Sequence, residues 1–277
     1  MRKPEWLKKQ WRATEDMARV EELVSELSLN TVCREASCPN YCDCFNRGTA
    51  TFLILGANCT RSCGFCGVNH APPGPVDKDE AARVAEAVKR LGLRYVVITS
   101  VTRDDLEDGG ASEFAMTVEE IRRKSPETKI ETLIPDFKGN EDALGLVIKA
   151  APDVLSHNME TVRELYDKVR PQADYDRSLY ILRFTAAHGL KAKSGLMVGV
   201  GETDEQVRST IFDLRRAGCS ILTIGQYLRP SKENMPVEAY IEPEVFEQWA
   251  EYAKETGFKS VASAPFVRSS YMAEEAL

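Results

Sequence analysis

A chain of 277 residues with 43% hydrophobic content can bury a substantial core, as one large α/β domain or two modest ones. Its 43 acidic against 36 basic side chains leave a formal net charge of −7, which argues against nucleic acid as the main ligand. No apolar run approaches the roughly 18–20 residues of a transmembrane helix, and the basic opening MRKPEWLKKQWR meets Glu15, Asp16, Glu21 and Glu22 without the apolar core of a signal peptide. The expectation is a soluble, cytoplasmic protein with no membrane partner.

In chain order, Trp6, Leu7, Trp11, Met17, Val20, Leu23, Val24 and Leu27 recur at mostly helical spacing and predict one or two amphipathic helices over 5–29. Residues 33–48, rich in Cys with Pro, Asn, Asp and Gly, read as irregular loop. Strand-like runs follow at 51–56, 94–99, 129–134, 153–157, 192–199 and 220–226. Helical stretches at 78–91, 111–124, 140–150, 160–189 (broken near Pro171) and 203–217 separate or follow them. A last helix, 243–256, precedes a short run at 258–263. This alternation predicts right-handed βαβ units and a parallel sheet. A partial (β/α)6-type TIM barrel fits six such units better than an open doubly wound sheet, with the chemistry at the C-terminal ends of the strands. The expected division is an N-terminal extension over 1–48, the barrel over 49–235 and a C-terminal extension over 236–277.

Seven of the eight cysteines fall within residues 33–66. In a cytoplasmic protein such a cluster reads as metal-binding thiolates, not disulfides. Cys59, Cys63 and Cys66 have C-x3-C-x2-C spacing directly after the first long strand. Three thiolates can ligate three irons of a [4Fe–4S] cube and leave the fourth open to a substrate or cofactor. A structural zinc knuckle is the bland alternative, although it normally takes four ligands. Cys33, Cys38 and Cys44 form a C-x4-C-x5-C group, with Cys42 as an additional thiol inside it. Cys219 stands alone before an apolar strand and reads as a small buried hydrophobe.

C-x3-C-x2-C after the first strand of a (β/α) barrel resembles the radical S-adenosylmethionine (SAM) superfamily. The two triads together resemble the lipoyl synthase family within it. Matching stretches run along most of the chain: TSVTRDDLEDGGA (99–111), ETLIPDFKG (131–139), SHNMETV (156–162), VRPQADY (169–175), KSGLMVGVGET (193–203), LTIGQYLRPS (222–231) and PFVRSSY (265–271). Biotin synthase shares only the Cys59–Cys66 loop and short pieces such as HN-x-[DE]-T. The resemblance implies two [4Fe–4S] clusters and SAM as cofactors. Cys59, Cys63 and Cys66 would hold the cluster at which SAM is cleaved to a 5′-deoxyadenosyl radical. Cys33, Cys38, Cys44 and Ser270 would hold an auxiliary cluster that gives up sulfur to C6 and C8 of an octanoyl chain. Cys42, outside the family spacing, is an alternative to Cys44. The implied partners are octanoylated lipoyl-carrier domains and an electron donor such as ferredoxin or flavodoxin.

Further candidates sit at predicted strand ends. Asn158 and Glu160, an amide and a carboxylate two residues apart, match the superfamily's ribose-binding element; alternatively Glu160 complements a helix N-terminus. His157 beside them reads as a packing residue. Ser100 and Thr102 are candidates for the SAM amine. Arg103 either reaches the SAM carboxylate or a cluster, or pairs with Asp104 or Asp105. Lys193 is a candidate for the SAM carboxylate or a substrate carbonyl. Gly199 and Gly201 would let backbone approach the adenosyl group, and Arg268 would steady the Ser270 loop. The basic N-terminal stretch reads as a solvated face before it reads as a docking site. Competing functions are another two-cluster radical SAM enzyme such as a methylthiotransferase, a two-cluster electron carrier and a zinc-binding interaction module. RSSY and the absence of an appended RNA-binding domain weigh against the first. The barrel's size weighs against the second.

Overall fold

The computed structural model describes residues 2–9 and 12–276, so the expectation placed on Trp11 lies outside the described residues. The chain divides into two compact units, one of Trp11–Arg61 and Gly67–Leu155, the other of Met1–Gln10, Ser62–Cys66 and Ser156–Leu277.

The first unit opens with α1 (Glu15–Glu26), whose N-terminus is capped by Thr14 accepting from the Met17 N–H. A two-residue strand, β1 (Asn30–Thr31), runs antiparallel to β2 (Thr51–Ile54), with Thr31 opposite Phe52. Two short helices, α2 (Val32–Glu35) and α3 (Tyr41–Asn46), lie between them and correct the expectation of irregular loop. Thr31 starts α2 by accepting from the Arg34 N–H, and Pro39 and Asn40 separate it from α3. From β2 onward the pattern is parallel: β3 (Tyr95–Ser100) pairs with β2 and β4 (Lys129–Leu133) pairs with β3, with Ile98 facing both Phe52 and Thr132. α4 (Glu80–Leu91) and α5 (Ala111–Lys124) supply the two crossovers. α4 ends on Gly92 in the left-handed conformation. Asp108 holds the start of α5, accepting from the N–H groups of Gly110 (2.9 Å) and Ser112 (2.8 Å). Phe52, Ile98, Phe114, Val118, Ile121 and Ile130 are fully buried. α6 (Glu141–Lys149) and β5 (Val154–Ser156) complete this part of the chain.

The second unit continues with α7 (Tyr166–Val169), α8 (Tyr175–Ala187), β6 (Lys191–Val198), α9 (Asp204–Arg216), β7 (Ile221–Gln226), α10 (Pro243–Thr256) and β8 (Ser260–Ser263). The predicted break near Pro171 falls between α7 and α8. α9 has a reciprocal cap between Thr203 and Gln206, and α10 places Pro243 at its start and Gly257 at its end. Gly195 of β6 lies opposite Thr223 of β7, and Ile224 opposite Ser263 of β8. Leu182, Ile211, Leu214, Leu222, Ile224 and Phe246 are fully buried in its core, together with Cys219. Strand order follows chain order from β1 to β8 without returning on itself, the topology of an α/β partial barrel. Among the described residues no helix is long and apolar enough to cross a membrane.

Candidate active site

In the first unit the structure brings Cys33, on α2, within hydrogen-bonding reach of Cys44, on α3. That contact, with burial, pushes the Cys44 thiol well above the ordinary range. Cys42 is two residues earlier on the same helix, about 200° around its axis, so the two thiols of α3 point apart. The Cys38 N–H donates to the Cys33 carbonyl at 3.2 Å, closing the turn between the helices. Among the described residues no group of three His, Cys, Asp or Glu side chains converges as for a bound ion. Soft thiols side by side suit iron–sulfur ligation.

Cys59 follows β2, and its Sγ faces the Thr102 N–H (3.3 Å) and the Arg61 N–H (3.5 Å). Ser100 and Thr102 stand at and just past the end of β3; the Ser100 hydroxyl is buried without a hydrogen-bond partner. Arg103 is 3% exposed and committed: Nε and Nη2 bind Asp105 (2.9 and 2.8 Å), and Nη1 reaches the Leu55 carbonyl (3.4 Å). Arg103 is thus ion-paired with Asp105.

In the second unit, residues 62–66 are tied down by side chains that sequence reasoning missed. The Gly64 N–H donates to the Val169 carbonyl (3.1 Å), and the Met235 N–H to the Gly64 carbonyl (2.9 Å). The Asn234 amide donates to the Cys66 carbonyl (2.8 Å), and the Ser62 N–H donates to Gln172 Oε1 (3.2 Å). Phe65, the aromatic inside CGFC, packs against Val169, Val200 and Tyr227. Gln172 carried a signal, as the one amide within the matched motif VRPQADY; Asn234, three residues beyond LTIGQYLRPS, did not.

Asn158 and Glu160 come together just past β5. Asn158 Nδ2 donates to Glu160 Oε1 (3.0 Å) and to Ser269 Oγ (3.3 Å), while its Oδ1 is buried without a partner. Glu160 adopts φ +66 and bridges to β6: its N–H donates to the Gly195 carbonyl (3.0 Å), and its carbonyl accepts from the Met197 N–H (2.9 Å). This geometry replaces the helix-start alternative, since Glu160 lies in no helix. Burial raises the Glu160 carboxyl, and Arg170, Asn158 and Arg268 pull it back. Gly195 keeps the space open: a Cβ there would stand 2.8 Å from Thr223 Oγ1 and 2.9 Å from Asn158 Oδ1. Lys193 is 1% exposed on β6, its carbonyl accepting from the His157 N–H (3.0 Å). It lies toward the start of that strand, away from the strand ends where the other candidates gather.

Gly199 and Val200 give their N–H groups to Glu202 (2.5 and 3.0 Å), so the GVGET turn is closed by its own carboxylate. Ser270 lies in the turn after β8. Its neighbours are fixed by the Asn158–Ser269 bond and by Arg268, whose Nη1 donates to the Val267 carbonyl (2.6 Å). Lys9 sits over the rings of Phe266 (4.4 Å) and Tyr271 (5.3 Å).

In the first unit Cys59 follows the first parallel strand and the Ser100 hydroxyl is buried without a partner; in the second unit Asn158 Oδ1 is likewise buried without a partner. Residues 53–214 match the Radical SAM superfamily. Among solved structures, methylornithine synthase (PylB) superposes with a TM-score of 0.58 at 17% identity, covering 91% of this chain and 84% of that one. Streptococcus suis SuiB bound to S-adenosylmethionine gives 0.63 at 12% identity, covering 76% and 49%. The chain therefore belongs to the radical SAM superfamily, with SAM and [4Fe–4S] clusters as its cofactors. It is 55% identical over 276 residues to a lipoyl synthase of Caldicellulosiruptor saccharolyticus, covering 99% of this chain and 97% of that one. A lipoyl synthase of Alkaliphilus metalliredigens is 52% identical over 278 residues, covering 100% and 96%. Within the superfamily, the chain belongs to the lipoyl synthases.

Proposed function

We propose that the chain inserts sulfur at C6 and C8 of an octanoyl group amide-linked to a lysine of a lipoyl-carrier domain, in the cytoplasm, with electrons from a ferredoxin- or flavodoxin-like donor. When bound, the cofactors supply a carbon radical able to take hydrogen from an unactivated carbon, and the sulfur that replaces it. Cys59, Cys63 and Cys66 are assigned to the cluster that meets SAM; Cys33, Cys38, Cys44 and Ser270 to the sulfur-donating one. The Asn158 amide and the Glu160 carboxylate hold the ribose hydroxyls, with Asn158 Oδ1 supplying the acceptor that lacks a partner. The Ser100 hydroxyl and the backbone near Thr102 orient the SAM amine. Lys193 is assigned to the SAM carboxylate or a substrate carbonyl. Arg103, held by Asp105, is assigned to the SAM carboxylate or a cluster. The chain is read as an N-terminal segment (1–48), a barrel (49–235) and a C-terminal segment (236–277), the outer two carrying the auxiliary-cluster ligands.

The observation that carries this reading is the presence of two separate thiol groups, one paired across α2 and α3 and one at the end of β2. The test is anaerobic reconstitution with SAM, a strong reductant and an octanoyl-lysine peptide, followed by mass spectrometry. A gain of two sulfurs with release of 5′-deoxyadenosine is expected. SAM cleavage with an unchanged peptide would overturn the substrate assignment.

A further inference from the structure

The first half of the cysteine loop is held by an ion cluster that the cysteine spacing does not use. Arg61, two residues after Cys59, is 4% exposed. Its Nε donates to Asp104 Oδ2 (2.7 Å), and its Nη2 donates to Asp104 Oδ1 (2.9 Å) and Asp136 Oδ1 (2.7 Å). Asp136 is fully buried. Lys138 Nζ donates to the Asp104 carbonyl (3.0 Å) and lies 4.0 Å from Asp104 Oδ1, so two cations face two carboxylates.

A second set of bonds fixes the same stretch. The Thr60 N–H and hydroxyl both donate to the Thr102 carbonyl (3.0 and 2.9 Å), and the Asp104 N–H donates to Thr60 Oγ1 (3.0 Å). The result is the Thr102 N–H aimed at Cys59 Sγ. The backbone beside Asp136 is itself strained: Phe137 and Lys138 hold φ of +43 and +53, in the left-handed region that side chains avoid. Such a bend persists where its surroundings over-determine it, and here it places the Asp136 carboxylate under Arg61 while accepting from the Lys138 N–H (3.1 Å).

We propose that Arg61 is a positioning residue: Asp104 and Asp136 fix its guanidinium, and Arg61 with Thr60 fixes Cys59 so that its sulfur receives the Thr102 N–H. Arg61 acts through Cys59 and touches no substrate. The inference rests on Cys59 being an iron ligand. Hydrogen bonds to ligating sulfurs set cluster potential, and groups that orient ligands typically change metal affinity by roughly 10–100-fold when removed.

The test compares wild type with Arg61→Lys and with the double variant Arg61→Gln/Asp136→Asn, all reconstituted as full chains. Arg61→Lys keeps the buried positive charge but cannot span both carboxylates. The double variant removes one charge of each sign, so a role limited to balancing charge in the fold is preserved. The readouts are the electron paramagnetic resonance spectrum of the reduced protein, its change on adding SAM, and the rate at which a chelator removes iron. Expected are a weakened SAM-induced change and iron release about tenfold faster in each folded variant. Wild-type spectra and release rates in Arg61→Lys overturn the inference, whether or not the double variant folds. Wild-type protein with no SAM-responsive signal would instead overturn the ligand assignment of Cys59.

Discussion

Asn158 donates to Glu160 across 3.0 Å, yet the other end of the same amide, Oδ1, is buried with no hydrogen-bond partner. A buried acceptor left open costs on the order of 1–3 kcal/mol, which supports the proposal that a ribose hydroxyl of SAM donates to it. The strained φ of Glu160 serves the same end, turning the carboxylate back toward the amide.

Gly195→Ala tests that arrangement from beneath. The added methyl would stand 2.9 Å from Asn158 Oδ1 and must displace it. SAM affinity, measured by equilibrium dialysis, is expected to fall about tenfold, equivalent to one hydrogen bond to a charged or strongly polar partner. Iron content should be unchanged.

Gly225→Ala should act on the C-terminal segment instead. Its Cβ would lie 2.0 Å from the Val267 carbonyl, a backbone atom that cannot swing aside. The turn carrying Ser270 must shift. SAM cleavage is expected to persist while sulfur gain by the peptide falls by about tenfold or more.

Ser270→Cys tests the ligand role proposed for Ser270, by separating holding the auxiliary cluster from spending it. A thiolate binds iron more softly and firmly than a hydroxyl oxygen. The variant is expected to retain iron against a chelator longer than wild type and to transfer sulfur more slowly, read by single-turnover mass spectrometry.

Asp153 ties acid sensitivity to the first unit. It accepts from Arg122 (2.6 Å), Lys129 (3.0 Å) and the Ile130 N–H (2.9 Å). Burial works against its charge, but these bonds outweigh it and lower its carboxyl below the ordinary value. A depressed folded-state pKa means the stabilisation is present above the unfolded value of about 3.9 and is lost as pH falls through the folded value. Asp153→Asn should cost about 1–2 kcal/mol at neutral pH, and its urea midpoint should converge with wild type as pH drops toward that window.

The alternation of strands and helices was legible because each parallel strand is a short apolar run between amphipathic helices; α5 and α10 begin and end where the sequence predicts. The 33–48 stretch was not, since helices of four and six residues are too short to show a period. β1 was missed for the same reason. In the site, the cysteines announce themselves by spacing and Asn158 and Glu160 by their motif. Arg61 does not, because its partners Asp104 and Asp136 are remote in sequence and only the fold makes them neighbours. Gly195 and Gly225 were readable in principle: a glycine inside an apolar strand marks close approach of another group.

Cys219 has no exposed surface and is packed among Leu214, Ala217 and Leu222, where burial pushes its thiol far up. Only a thiolate in contact with solvent reacts with alkylating reagents. The sulfur is thus silent while its surroundings stay shut, and its labelling rate under excess reagent counts their opening events. The molecule carries its own stopwatch: pulsed alkylation, read on the peptide containing residue 219, would time breathing of that core without any introduced probe.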